Sequence, residues 1–230
     1  MPEKGIGKAL RSAISGQRQE ETKPKGEALL LNVHRRAILE FLCRKPCATP
    51  SLVARALDLS PNAVAWHFQK LLDGGYLGRA GTEAAYPAGL LPATDVGIFL
   101  LLMQERVRSV LVATLEHPGA SQDAIAETSG VSRQTAARGL EELERAGLVN
   151  VVRDGRTNRY YMTPLLATRR DANAKRALAF SDGVLKMLQA EGLRPQVLRR
   201  NSEEILLRLG GGAQAPVLHL RTDPYQTLLA

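Results

Sequence analysis

The sequence predicts a mainly α-helical protein with small β-hairpins, an α+β chain in which one three-helix unit occurs twice before a C-terminal helix and a small β module. Aromatic residues make up only 4% of the chain, while Ala and Leu abound and Pro and Gly punctuate at intervals, a composition that favours short helices over extended sheet. Slid on itself by 72 positions, the sequence repeats without a gap across its centre. Each repeat then closes with two short extended segments about a turn that contains Gly, the pattern of a β-hairpin.

At 230 residues with 44% hydrophobic side chains, the chain has enough apolar material for two small cores. Its formal charge of +8 and pI near 9.8 suit a polyanionic partner such as nucleic acid or acidic headgroups. The longest apolar run, Val96 to Met103, falls far short of the roughly 20 residues that span a bilayer. The opening residues Met1 to Lys4 lack the apolar core of a signal peptide. The expectation is a cytoplasmic, nucleoid-associated protein with no membrane partner. Cys43 and Cys47 are too few for a secreted scaffold, and no second pair completes a metal site around them, so both read as ordinary thiols.

Residues 1–26 hold few large apolar groups among many Lys, Arg, Glu, Gln and Gly, and read as a flexible basic tail. Within it Lys4, Lys8, Arg11 and Arg18 with Leu10 and Ile14 could form a short helix on a phosphate backbone, or remain solvated.

The repeat aligns Leu39 with Leu111, Pro46 with Pro118, Ala54 with Ala126, Ser60 with Ser132, Leu71 with Leu143 and Gly75 with Gly147. In each copy a first amphipathic helix (29 to 44, and 95 to 117) stops at a Pro that cannot continue it. Thr49 or Ser121 then caps a short helix that turns Val53, Ala54 and Leu57, or Ile125 and Ala126, inward. A tight turn, Asp58-Leu59 or Gly130-Val131, leads to a third helix capped by Ser60 or Ser132, with Pro61 at a first position where a missing N–H costs nothing. Val64, Phe68 and Leu71, matched by Ala136, Leu140 and Leu143, define its buried face. The third helices end at Gly74-Gly75 and Gly147, where left-handed backbone is free of Cβ strain. The hairpins run Tyr76 to Arg79 with Ala84 to Pro87 about an Ala80–Glu83 turn, and Leu148 to Arg153 with Asn158 to Thr163 about Asp154-Gly155.

The apolar residues Ile98, Leu101, Leu102, Val110 and Leu111 exceed what one small domain needs, and fit either an intradomain core or an interface between copies or subunits. Residues 165 to 193 read as a helix with Arg169, Arg170, Lys175 and Arg176 on a charged part and Leu178, Val184, Leu185 and Leu188 on an apolar one. Short strands follow at 197–198, 205–209 and 217–220, broken by Asn201-Ser202 and Gly210 to Gly212.

From Leu59 to Leu77 and from Val131 to Val149 the chain resembles the winged helix-turn-helix domains of MarR-like and ArsR-like regulators, particularly tandem forms among archaeal regulators. The resemblance implies two winged helix-turn-helix domains, at 27–94 and 95–164; residues 165–230 lie outside it and read, from their helix and short strands, as a small C-terminal module for dimerisation or sensing. The resemblance also implies a homodimer that binds double-stranded DNA as a transcription regulator. ArsR-like metal sensors carry Cys near the start of the third helix, where this chain has Ser60-Pro61-Asn62, which argues against metal sensing; no cofactor is expected, and the sequence names no effector.

With the third helix in the major groove, its outward N-terminal residues would meet bases and phosphates. In copy two these are Ser132, Arg133, Gln134, Thr135 and Arg138, a set with Arg for guanine, Gln for adenine and hydroxyls for phosphate. Arg153, Arg156 and Arg159 with Thr157 and Asn158 make the second wing a cationic finger suited to a phosphate ridge or a narrow minor groove. Copy one offers Ser60, Asn62, His67 and Lys70, but its wing tip has no positive charge, and Trp66 could equally pack on a neighbour.

An enzyme is not expected, because His34, His67, His117 and His219 share no ligand or acid-base spacing and Gly210 to Gly212 lacks a following Lys-Ser/Thr. Two other readings stand beside the regulator: an architectural DNA-coating protein of low sequence specificity, and a winged-helix scaffold for protein interaction.

Overall fold

A computed structural model describes residues 28–212 and 214–228. The basic tail expected over 1–26 lies outside these residues. Helix α1 (Val33–Arg44) starts at Asn32, whose side chain accepts from the N–H groups of His34 and Arg35. After Pro46 the chain turns at Cys47, with φ of 66°, and Thr49 and Ser60 cap α2 (Pro50–Leu57) and α3 (Pro61–Asp73) through their side chains. The antiparallel hairpin β1 (Leu77–Ala80) and β2 (Ala84–Pro87) completes the first winged unit, with Ala48 bridging to Ala85 as a third strand position.

Helix α4 (Val96–Leu102) joins this unit to the second, made of α5 (Glu105–Glu116), α6 (Gln122–Ser129), α7 (Arg133–Arg145), β3 (Val149–Asp154) and β4 (Thr157–Met162). Each of α5, α6 and α7 begins and ends 72 positions after its counterpart. The left-handed residues recur likewise: Cys47 with Gly119, Asp58 with Gly130 and Gly75 with Gly147. Shared caps and turns therefore impose one local geometry on two dissimilar sequences.

Two sequence expectations need correction in this region. The helix expected over 95 to 117 is broken: the Met103 N–H closes α4 on Phe99, and Gln104 leaves the helical region before its carbonyl opens α5. No Pro or Gly marks the break, which tertiary packing imposes by sending α4 against the first unit and α5 into the second core. The second wing turns at Gly155-Arg156 rather than Asp154-Gly155, because Asp154 still pairs with Thr157 and Gly155 is the first loop residue, with φ of 59°.

Helix α8 (Leu165–Ala190) leads to the antiparallel sheet β5 (Pro195–Arg200), β6 (Glu204–Leu209) and β7 (Val217–Arg221), with β6 in the middle, and to a short α9 (Pro224–Leu228). The buried face of α8 is Ala177, Phe180, Val184 and Leu188; Leu178, expected on it, is 41% exposed because it falls between those helical positions.

Two hydrophobic cores result. The first joins Ile38, Leu39, Leu42, Val64 and Phe68 of the first unit to Phe180, Val184 and Leu188 of α8 and to Ile205, Leu207, Leu209, Leu218 and Leu220 of the sheet. The His219 N–H donates to Glu40 Oε1 at 3.0 Å, fastening β7 to α1. The second core joins Val107, Val110, Leu111, Leu140 and Leu143 to Ile98, Phe99 and Leu102 of α4 and to Cys47, Ala80, Ala84 and Leu91 of the first unit. Helix α4 is thus an interface between the copies. Asp95, fully buried at its start, is bonded by Arg169 of α8 at 2.9 Å and by the Tyr225 hydroxyl of α9. Among the described residues, no helix is long and apolar enough to cross a membrane.

Because the sheet completes the first unit's core, Leu207→Ala should lower the stability of α1 to α3 together with the sheet, by about 2–5 kcal/mol, as deletion of a fully buried Leu usually does. Chemical denaturation read at Trp66 fluorescence checks it; an unchanged midpoint at that probe would show the sheet to be energetically separate. Glu204 gives a second test. Its carboxylate accepts from Arg199 at 2.9 Å and faces His219 Nε2 at 2.7 Å, and these bonds hold its pKa down to about 2 from an ordinary 4.5. A carboxyl depressed on folding contributes stability above its unfolded pKa and loses it as pH falls through the folded one. Denaturation midpoints should therefore decline between about pH 4.5 and 2, and Glu204→Gln should flatten that decline.

Candidate nucleic-acid interface

On the second unit, Ser132 Oγ accepts from the Thr135 N–H at 3.2 Å and lies 2.9 Å from Thr135 Oγ1, so one hydroxyl donates to the other and a single O–H remains to face outward. Ser132, Arg133, Gln134 and Arg138 are exposed along α7, while Ala136, Leu140 and Leu143 are buried beneath them. The β3–β4 hairpin stands beside this helix. Arg133 of α7 and Arg153, Arg156, Thr157 and Asn158 of the hairpin line one groove of about 450 Å³, whose far wall is the start of α6.

That wall was not legible as part of a site. Gln122 and Asp123, in the first turn of α6, hold the start of α7: Gln122 Nε2 donates to the Arg133 carbonyl at 3.3 Å, and Asp123 pairs with the Arg133 guanidinium at 2.8 Å. Both members of the ion pair are mostly exposed, so it contributes little stability and can yield to another anion. The available signal was the Ser121 cap, which places Gln122 and Asp123 in the first turn of a helix that meets α7. Three guanidinium groups against one carboxylate leave the groove cationic.

Not all the expected residues converge there. Gln134 and Arg138 lie further along the exposed face of α7 and do not line the groove, and neither do Ser132 and Thr135 at the cap. Arg159 is half-buried, bonded through Nε to Asp154 at 3.1 Å and through Nη1 to the Gly119 carbonyl at 3.4 Å; it braces the base of the wing.

The first unit presents a different surface. Ser60 caps α3 by accepting from the Ala63 N–H, and Ser60, Asn62 and Lys70 are exposed. His67, expected to face outward, is 7% exposed, with its ring 5.6 Å from that of His34 and 4.9 Å from that of Trp66. The buried residues Val64, His67, Phe68 and Leu71 follow i, i+3, i+4, i+7 spacing, so the same periodicity that buries Val64 and Phe68 buries His67 as well. Desolvation, reinforced by Arg35 and His34, lowers its pKa. Trp66 is 53% exposed, with the Arg35 guanidinium and the Lys70 ammonium each less than 6 Å from its ring.

The first wing is not free on both sides. Ala80 and Ala84 are buried in the second unit's core, leaving the tip Gly81–Glu83 exposed. Burial also pushes the Cys47 thiol up to about 12 and the Cys43 thiol higher, so both remain protonated. Among the described residues, no three His, Cys, Asp or Glu side chains are placed to hold a metal ion.

Comparison with known proteins bears on both units. Residues 31–77, the helical part of the first, match a family described as winged helix-turn-helix DNA-binding. Over these residues the first unit is similar to winged helices of a DNA-binding type. Residues 102–175, the second unit and the beginning of α8, match a family of unknown function. Among solved structures, the transcriptional regulator SlyA is 26% identical over 36% of this chain and 72% of its own, with a TM-score of 0.24. IdeR of T. acidophilum is 12% identical over 84% of this chain and 93% of its own, with a TM-score of 0.22. A Corynebacterium diphtheriae protein is 18% identical over 56% and 26%, with a TM-score of 0.22. No curated protein matches the chain.

Trp66 is the chain's single Trp and sits on the exposed side of α3, so its emission reports on that surface alone. A short duplex should quench or blue-shift it and shield it from iodide if α3 meets DNA. Saturated binding with unchanged Trp66 emission would confine the contact to the second unit.

Proposed function

We propose that this chain is a tandem winged-helix transcription regulator that binds double-stranded DNA mainly through its second unit, with the first assisting. The observation that carries the reading is the groove in which Arg133 of α7 meets Arg153 and Arg156 of the hairpin. A helix and a β-finger that share one cationic concavity match the curvature of a phosphate ridge, with the helix in the major groove and the finger across the backbone.

Each residue has a distinct part in this mode. Gln134 and Arg138 reach base edges, where Arg favours guanine and Gln adenine. The open N–H groups at the start of α7, with the spare hydroxyl of the Ser132–Thr135 pair, take a phosphate oxygen. Arg133 exchanges Asp123 for phosphate, Arg153, Arg156 and Asn158 bind the next phosphates, and Arg159 keeps the finger upright. On the first unit Ser60, Asn62 and Lys70 add contacts, and His67 supports Trp66 from beneath. A homodimer on two-fold related half-sites completes the proposal.

Arg153→Ala with Arg156→Ala should reduce duplex affinity at least tenfold, and the slope of log affinity against log salt should flatten by about 0.9 for each phosphate that the variant no longer neutralises. Anisotropy titrations at several salt concentrations read both quantities. Equal binding by the variant would sink the groove assignment. Selection from a random duplex pool separates the functions: an enriched palindrome marks a dimeric regulator, and enrichment of nothing marks an architectural protein.

A further inference from the structure

The exposed face of α3 carries Pro61, Asn62, Ala65, Trp66, Gln69 and Lys70, and Trp66 is the one large apolar side chain among them. The 72-residue repeat sets Asn62 against Gln134 and Trp66 against Arg138. The correspondence holds in the fold as well: α3 and α7 start and end 72 positions apart, each follows a Ser cap, and Trp66 and Arg138 are both exposed. The position that carries a guanidinium in the second unit therefore carries an indole in the first.

A single exposed apolar residue is ordinary, so exposure alone assigns nothing to Trp66. Its setting does. The Arg35 guanidinium and the Lys70 ammonium lie 5.6 and 5.7 Å from its ring centre, and the buried His67 ring meets it edge-on at 4.9 Å. The tip of the first wing, Gly81–Glu83, has no cation. An aromatic plate among cations suits a partner that presents negative charge beside apolar edges, as the major groove does where C5-methyl groups stand between phosphates. The family match over residues 31–77 favours nucleic acid over a protein as that partner. An indole has one N–H donor and no acceptor, so it cannot make the paired bonds by which Arg or Gln selects a purine. What its ring can select is a methyl group.

We propose that Trp66 is a specificity-determining residue that packs on the C5-methyl group of a pyrimidine in the major groove, a methyl carried by thymine or by 5-methylcytosine. Lys70 and Arg35 hold the flanking phosphates, and Asn62, one helical turn earlier on the same face, bonds a neighbouring base. The assignment rests on the reading in which the third helices lie in the major groove. The second unit then reads bases by hydrogen bonds and the first by a methyl group.

The probe is a duplex recovered by the full chain from a random pool, then remade with uracil for every thymine or with 5-methylcytosine for every cytosine. Anisotropy titrations compare the wild type and Trp66→Ala on all three forms, with circular dichroism confirming the fold of the variant. Burial of one methyl group corresponds to about a fourfold change in affinity, or ~0.8 kcal/mol. The wild type should lose that factor on the uracil duplex where thymine is read, or gain it on the methylated duplex where cytosine is read, and Trp66→Ala should abolish the response. Wild-type affinity that is the same for all three forms overturns the assignment, and so does a Trp66→Ala loss that is equal on all three, the mark of a structural residue; the regulator reading survives both. A chain that retains no duplex, or enriches none, overturns the assignment together with that reading.

Discussion

The first winged unit cannot bury its own apolar surface, and the rest of the architecture follows from how two distant parts of the chain cover it. A unit of three short helices and a hairpin of two four-residue strands leaves apolar surface on two sides. The C-terminal sheet and α8 close one side through Ile205, Leu207, Leu218, Phe180 and Val184, and α4 closes the other over Ala80, Ala84 and Cys47. A small core gains most from added apolar area, since small domains bury proportionally little of their surface. Both coverings are pinned by polar contacts, Glu40 to the His219 N–H on one side and Asp95 to Arg169 and Tyr225 on the other.

This division of labour explains why the duplicated units differ in charge. The first wing lies against α4, so positive charge on Ala80 or Ala84 would be buried without a partner, at a cost of several kcal/mol. The second wing meets no such cover: Arg153 and Arg156 are exposed and free to carry charge. The same fold therefore yields a packing hairpin in one copy and a cationic finger in the other, and the basic groove belongs to the copy whose wing is left open.

Much of this was legible because it is local. Caps at Thr49, Ser60, Ser121 and Ser132, left-handed turns at Asp58 and Gly130, and helix stops at Gly75 and Gly147 depend on a few adjacent residues, and both units obey them. The break at Met103-Gln104 was hidden because no residue there disfavours helix; the choice between one helix and two is made inside one shared core, where α4 packs on Cys47, Ala80 and Ala84 of the first unit and α5 on the helices of the second. The C-terminal strands were visible as strands, but their union with α1 depends on contacts between residues such as Glu40 and His219, which no period in the sequence connects. The cationic residues of the groove were legible as a set, whereas Gln122 and Asp123 were not, because their part depends on the angle at which α6 meets α7.

The burial of His67 is encoded in the repeat. The counterpart of this residue is Gly139, and a Cβ there would sit 3.3 Å from Val110, so in the second unit α7 approaches α5 tightly at this position. A glycine inside an exposed helix costs about 1 kcal/mol relative to Ala, so its presence in α7 already signals close packing and not an outward face. Carried across the repeat, that signal places His67 at the crossing of α3 on α1, where the structure finds it against His34. The first unit fills with an imidazole the space that the second closes by drawing its helices together. Trp66 is then left above a stiff, buried ring with cations beside it. The third helix of the first unit thereby presents an aromatic surface, while that of the second presents a cationic one, and two copies of one fold expose two different chemistries.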